Sequence, residues 1–449
     1  MRALVIPGPR GRATLLIGAA ALVIGLLIEG SPAAEPIRIG AVFPLHGNAA
    51  GLAGQELLGV QIAADLVNAD GGVDGRRIEL DVRDLESAAD APQVMAALRA
   101  GGVSVVVGAY SSDLSIAASA AADAAGLVYW EAGAVADQLT GRGLPLVFRV
   151  GATGANLGAN SARFAATQLA PRLGTAVGQL RVAIVAVDDA YARSVADAAA
   201  RTAAAAGLPV VARETYQLTV PQWPRLMATL AAARPDVVIL ASHIPDGVAF
   251  RRAMLSAGLH VKALIGSTMA ECDPDFAGDL GADAVGVFAS DRPTGGFRPE
   301  ALAALARATY DAFAVAWASA YRAPVAAATY APEYDISGPA ELASGSGPTE
   351  EGLSGFAAAW ALFHDVLPVA SAAGSLSAAE VASAARVVDL PLGALPNGAG
   401  LHFSADPATL GQNERAAAVI WQWQAVRSYT FVWPQSYATG TIAFLPLER

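Results

Sequence analysis

Cysteine is almost absent from this chain. Cys272 is the only one in 449 residues, so no intramolecular disulfide can form and no cysteine cluster can hold a metal. Histidine is scarce as well: His46, His243, His260, His364 and His402 fall at no metal-ligand spacing. Charged residues make up 15% of the chain, and a net charge of −11 is scattered rather than clustered. That balance argues against nucleic acid or an anionic membrane surface as a partner. The glycines at Gly47 and Gly51 are followed by no Gly-Lys-Ser/Thr, and no G-x-G-x-x-G opens the first helix. A nucleophile elbow, a metal motif and paired carboxylates with a matched base are all missing. These absences point away from an enzyme, and no cofactor or metal is expected.

What is present begins with a leader. Arg2, Arg10 and Arg12 precede the apolar run Ala13–Ile28, and Ser31-Pro32-Ala33 supplies small residues beyond it. This is the layout of a secretory signal peptide over residues 1–34, cleaved near Ala33 or Ala34. A leader retained as an N-terminal anchor is the alternative reading, although the apolar run is short for a membrane span. No cysteine follows the leader, which excludes a lipid attached at that position. The remaining chain is long enough for two lobes with separate cores.

A strand-helix rhythm runs through it. Ile37–Phe43 is short, apolar and stopped by Pro44, as a buried parallel strand is. Gly47, Gly51 and Gly54 then predict a permissive loop whose amides approach a ligand. A helix carrying Leu57, Val60, Ala64 and Val67 on one face follows, and Ile78–Val82 makes the next strand. Further strands are expected at Val103–Val107, Gly126–Trp130, Arg181–Val185, Pro209–Ala212, Asp236–Leu240, Val261–Ile265 and Ala284–Phe288. Residues 323–352, rich in Pro, Gly, Ser and Glu, read as a surface excursion. Phe356–Leu367 resumes a helix, and the tail with Trp421, Trp423, Phe431 and Trp433 is β-like. Trp421 and Trp423 alternate with Gln422 and Gln424, which favours core over ligand stacking. Strands alternating with helices define an α/β chain with parallel sheets, whose ligand edge is the carboxyl end of the strands.

Several ordered pieces carry a resemblance. They are Ile39-Gly40 with Pro44-Leu45 and Gly47; Asn68 with Gly71-Gly72 and Gly75; Gly108 with Ser111-Ser112; Asp188-Asp189 with Tyr191; Pro235-Asp236; and Gly411-Gln412-Asn413 with Gln422-Trp423. In this order, over essentially the whole mature chain, they resemble the type I periplasmic solute-binding proteins of the branched-chain amino acid and amide transport class, the Leu/Ile/Val-binding proteins among them. The resemblance implies two Rossmann-like lobes with parallel sheets, joined by three hinge strands and closing like a Venus flytrap on a small ligand. Residues 35–150 plus 290–400 would form one lobe and 151–289 plus 401–449 the other. The crossings would fall near Val150-Gly151, near Ala289-Ser290 and around Gly400–Phe403.

Tyr110-Ser111-Ser112 ends a strand and opens a helix, where free N–H groups and the helix dipole favour an anion. Serine in the same place is also a common N-cap. The resemblance points to Ser112 and the loop Gly133-Ala134-Val135 as a carboxylate cradle, and to Tyr191 as an aromatic contact from the second lobe; a half-buried surface tyrosine is the plain alternative. Val135 departs from the Thr or Ser of amino-acid binders in this class. Ser267-Thr268 stand where such proteins carry an acid. Glu271 close by, or Glu131 beside Trp130 at a strand end, are the candidates to supply the missing charge, against the alternative of a solvated loop carboxylate for Glu131. His46 and His243 fall in loops at the expected cleft. The expected function is the periplasmic solute-binding component of an ABC importer, a monomer that takes a small carboxylate, amino acid or amide to a membrane permease. A ligand sensor for a membrane partner and an exported α/β enzyme are the alternatives.

Overall fold

Seven residues, Ile37–Phe43, form strand β1 with Arg38 as their one exposed side chain. This is the burial that a strand with helices on both faces requires. A computed structural model describes residues 34–447 except 48, 273, 322–347 and 427. The leader up to Ala33 and most of the stretch 323–352 therefore lie outside the described residues.

β1 is flanked by β2 (Ile78–Asp84) and β3 (Val105–Gly108), with β4 (Val128–Glu131) and β5 (Val147–Arg149) beyond, in the order β2-β1-β3-β4-β5. All pairings in this sheet are parallel. The crossovers are helices α1 (Ala50–Ala69), α2 (Ala91–Ala100) and α3 (Ser112–Ala124). Alternate residues feed opposite faces: Ile39, Ala41 and Phe43 join one apolar core, and Val42 joins another with Met95 and Leu98. Gly51 and Gly54 were expected in a loop but lie inside α1, which starts at Ala50; only Gly47 takes a left-handed turn, at φ 79°. Their neighbours Ala49, Ala50, Leu52, Ala53 and Gln55 are good helix formers and make helix the lower-energy state there.

The second sheet runs β12-β11-β10-β9-β8-β6-β7. β6 (Val182–Val187), β7 (Val210–Tyr216), β8 (Val237–Ala241), β9 (Ala263–Ser267) and β10 (Phe288–Asp291) are parallel neighbours. β11 (Val419–Ala425) and β12 (Ser428–Trp433) complete it as an antiparallel hairpin. Its helices are α4 (Gly154–Phe164), α5 (Ala190–Ala206), α6 (Trp223–Ala233) and α7 (Ile244–Ser256). The strand expected at Ala284–Phe288 begins only at Phe288, because Gly281–Ala284 forms a tight helical turn and Gly286 is left-handed at φ 95°.

After β10 the chain returns to the first lobe. α8 (Ala304–Tyr321), α9 (Glu350–Trp360) and α10 (Ala378–Val387) cover the same core as α1, with the rings of Phe313 and Phe356 stacked 4.0 Å apart. Residues 349–352 are not a surface excursion: Thr349 caps α9 through the Gly352 N–H (3.2 Å), and Glu350 and Glu351 are buried. The helix continuing over Glu350–Ala372 is long and apolar enough to cross a membrane, but 78% of its apolar window is buried in the fold. α1 and α9 meet backbone to backbone, since a Cβ on Gly59 would stand 2.2 Å from Gly352 O. α4 and α5 meet the same way in the second lobe, with Gly158 against Val195 O.

Among the described residues the chain passes between the sheets three times, after Arg149, after Asp291 and before Val419. The third passage comes later than Gly400–Phe403. Phe403 instead packs edge-on against Trp130 and Phe148, at centroid distances of 5.2 and 5.0 Å, in the first-lobe core. Gln412 and Asn413 brace this region: Gln412 Oε1 accepts from Arg149 Nε (2.6 Å), and Asn413 Nδ2 donates to Val150 O and Gly400 O (2.9 Å each).

Candidate functional site

The carboxyl ends of β3, β4, β6, β8 and β9 face one cleft of about 260 Å³, lined from both lobes. The first lobe contributes Tyr110, Ser111, Ser112 and Asp113, with Gly133 and Val135 from the loop after β4. The second contributes Asp188, Asp189 and Tyr191 at the start of α5, residues 217–219 after β7, His243 before α7, and Thr268 and Met269 after β9. Arg292, just past β10, closes the hinge side. The lobes touch at one rim, where the Asp137 N–H donates to Ser194 Oγ (3.0 Å).

Ser111 holds the N-cap position of α3 but its side chain makes no capping bond. The Ser112 hydroxyl accepts from the Ala136 N–H (3.2 Å), which ties the α3 start to the loop after β4. The first-turn N–H groups of α3 have no intrahelical acceptor and point toward the cleft end of the helix. Asp113 lines the same corner; partial burial, then the charge of Asp189, raise its pKa, with Arg193 and His243 opposing.

Across the cleft, Asp189 caps α5 by accepting from the Ala192 N–H (2.8 Å), and its second oxygen meets His243 Nε2 at 2.6 Å. Burial works against a charged His243. The bond to Asp189 and its charge, with Asp246 and Asp113 behind, outweigh burial and hold the pKa above the ordinary histidine value. The Tyr191 ring meets His243 edge-on at 5.5 Å, and its hydroxyl reaches the carbonyls of Ser242 (3.1 Å) and Ser267. A histidine whose folded pKa is raised contributes stability that is fully present below about pH 6.5 and lost as pH rises through the higher folded value. The advantage of wild type over H243Q in urea unfolding should therefore shrink as pH rises; an advantage that grows would contradict the pairing.

Arg292 anchors the floor. It is buried, pairs with Glu350 through Nη2 (2.8 Å) and Nε (2.6 Å), and donates through Nη1 to Gly133 O. Its charge is held firmly: burial opposes it, but Glu350, Asp291, Glu56 and Glu351 raise its pKa above the ordinary value.

Of the residues singled out in the sequence, Tyr110, Ser111, Ser112, Gly133, Val135, Tyr191 and His243 line the cleft. The others do not. Trp130 lies in the core, donating from Nε1 to Ala358 O (2.8 Å). Glu131 is fully buried behind the wall, where it accepts from the N–H groups of Gly133 (2.9 Å) and Ala134 (2.8 Å) and from the Tyr129 hydroxyl (3.0 Å). It shapes the cradle loop rather than facing a ligand; burial raises its pKa against those bonds and one from Ser115. Ala134 turns its carbonyl to Arg149 Nη1 (3.2 Å). Ser267 Oγ faces Ser161 Oγ (3.3 Å). Glu271 is buried against Gly266 on the core side of β9. His46 is an exposed partner of Asp84 (2.6 Å). The acids that reach the cleft are instead Asp113, Asp188 and Asp189.

Two α/β lobes linked by chain crossings, with a ligand-sized cleft between them, are the architecture of a protein that closes on a small ligand. The periplasmic binding protein model matches residues 36–420, and the chain belongs to that family. It is 29% identical over 436 residues to the Leu/Ile/Val-binding protein homolog 8 of Brucella suis, covering 96% of this chain and 98% of the relative. The fold is similar to the branched-chain amino acid transporter substrate binding protein of Streptococcus pneumoniae in complex with isoleucine (TM-score 0.67, 20% identity, 89% of this chain and 100% of that one). It is similar also to an ABC transporter solute binding protein of R. palustris in complex with benzoate (TM-score 0.65, 16% identity, 92% and 100%).

Proposed function

We propose that this chain is the exported solute-binding component of an ABC importer, capturing a small carboxylate, amino acid or amide and presenting it to a membrane permease. The observation that carries this reading is the cleft of about 260 Å³, with the start of α3 on one wall and the Asp189–His243 pair on the other. A ligand carboxylate fits the first-turn N–H groups of α3 with the Ser111 hydroxyl, while its other end meets the second lobe. Contact with both lobes exists only in the closed form, so binding shifts the population toward closure. Family membership and relatives named for Leu/Ile/Val binding support the same reading. An ammonium on the ligand would be met by Asp113 or Asp189, since Glu131 and Glu271 do not line the cleft.

Thermal unfolding of the purified chain against amino acids, amides, aromatic acids and short carboxylates tests it. A ligand at about 100 times its Kd stabilises by roughly 2.7 kcal/mol. The expected result is a raised Tm with at least one member of the panel; no shift with any would remove the ligand class.

A further inference from the structure

The hinge end of the cleft brings together three residues from three parts of the chain. Tyr110 comes from the first lobe, between β3 and α3. Thr268 comes from the second, directly after β9, and its N–H donates to Ser290 O (3.1 Å), which seats it beside Asp291 and Arg292. Arg292 follows β10, and all three line the cleft. Tyr110 and Thr268 both have left-handed backbones, at φ 69° and 51°, a conformation that is uncommon for side chains of this size. Both are buried, at 5% and 1% exposure; the Tyr110 hydroxyl has no hydrogen-bond partner, and the Thr268 hydroxyl has only the Asp291 carboxylate beside it. Buried hydroxyls are nearly always paired, and an orphan in the wall of a cleft, opposite a second hydroxyl, marks a place for a polar occupant.

We propose that Tyr110, Thr268 and Arg292 form a specificity subsite for an uncharged hydrogen-bonding group at the distal end of the ligand, a carboxamide or a hydroxyl. This rests on the chain being a solute-binding protein. The donor inventory fits. Burial, reinforced by Glu351, Cys272 and Glu350 against Arg292, keeps the Tyr110 hydroxyl protonated, so it donates. The Thr268 hydroxyl, turned to the Asp291 carboxylate, is an acceptor for the ligand's own N–H or O–H, and an Arg292 N–H beyond those used by Glu350 and Gly133 O is a second donor for a ligand oxygen. A hydrocarbon end would leave the Tyr110 hydroxyl unpaired. A second carboxylate would enter beside Asp291, Glu350 and Glu351 and meet like charge.

Two trios of probes test this on the full purified chain by calorimetry: leucine, glutamine and glutamate, and benzoate, 4-hydroxybenzoate and terephthalate. In whichever trio binds, the uncharged polar member, glutamine or 4-hydroxybenzoate, is expected to bind about tenfold or more tightly than both companions. Y110F and T268V are each expected to reduce that preference by about tenfold. Leucine or benzoate binding as tightly as the polar analogue would overturn the subsite while leaving the solute-binding reading in place. So would a preference that survives both substitutions. Silence from all six probes would remove the proposed ligand class and the subsite with it.

Discussion

Replacing Arg292 with Met is expected to destabilise the protein by about 3–5 kcal/mol, the cost of leaving a buried carboxylate without its partner. Arg292 is the cation bonded to Glu350 in a cluster that also holds Glu56, Asp291 and Glu351. The Glu350 pKa is already pushed up to about 7: burial raises it, Arg292 pulls it down, and Asp291 adds to the rise. A carboxyl whose folded pKa exceeds its unfolded one binds more protons when folded, so it lowers stability as pH rises. Without Arg292 that pKa climbs further, and the loss extends to higher pH. The gap between wild type and R292M in urea unfolding should therefore widen as the pH is raised past about 7. A loss under about 1 kcal/mol, or a gap that narrows with rising pH, would show that the pair does not hold the hinge. R292M also frees Gly133 O, so the cradle loop should lose protection from hydrogen exchange.

The second large effect has a control in the same helix. Gly59 in α1 would place a Cβ 2.2 Å from Gly352 O and 2.7 Å from Phe356 N, both backbone atoms of α9 that no rotamer change can move. G59A should therefore force the two helices apart and cost about 3 kcal/mol. Gly54, five residues earlier, has nothing within 4 Å of its would-be Cβ. G54A should gain about 0.5–1 kcal/mol from helix propensity alone. Thermal denaturation of the two variants should move Tm in opposite directions, and equal shifts would mean that α1 and α9 are not in backbone contact.

Much of the architecture was legible because it depends on runs and stops. β1 could be read because seven β-favouring residues end at Pro44, and β8 because Asp236 precedes five buried apolar residues. β5 escaped because three residues, Val147–Arg149, are too few to show a period. β10 was placed early because Ala284–Val287 is apolar, yet Gly286 turns left-handed and postpones the strand. The cleft was legible where it sits at a strand end, as at Ser111 and Tyr191. What the linear chain hides is the side of a wall to which a carboxylate turns. Glu131 and Glu271 stand close to cleft residues in sequence yet do not line the cleft, while Asp113 and Asp189 do. Arg292 carried one overlooked signal, an Asp-Arg pair immediately after an apolar strand at an expected hinge.

The contact between α1 and α9 has a consequence in time. During synthesis, α1 emerges roughly 300 residues before the segment that covers it, an interval of about 15–60 s at ribosomal rates. Throughout that interval Leu57, Val60 and Ala64, buried in the finished protein, have no α9 to pack against. The first sheet is built from neighbouring segments, but its lid arrives last, so the amino-terminal lobe can be completed only after most of the carboxyl-terminal one has been made.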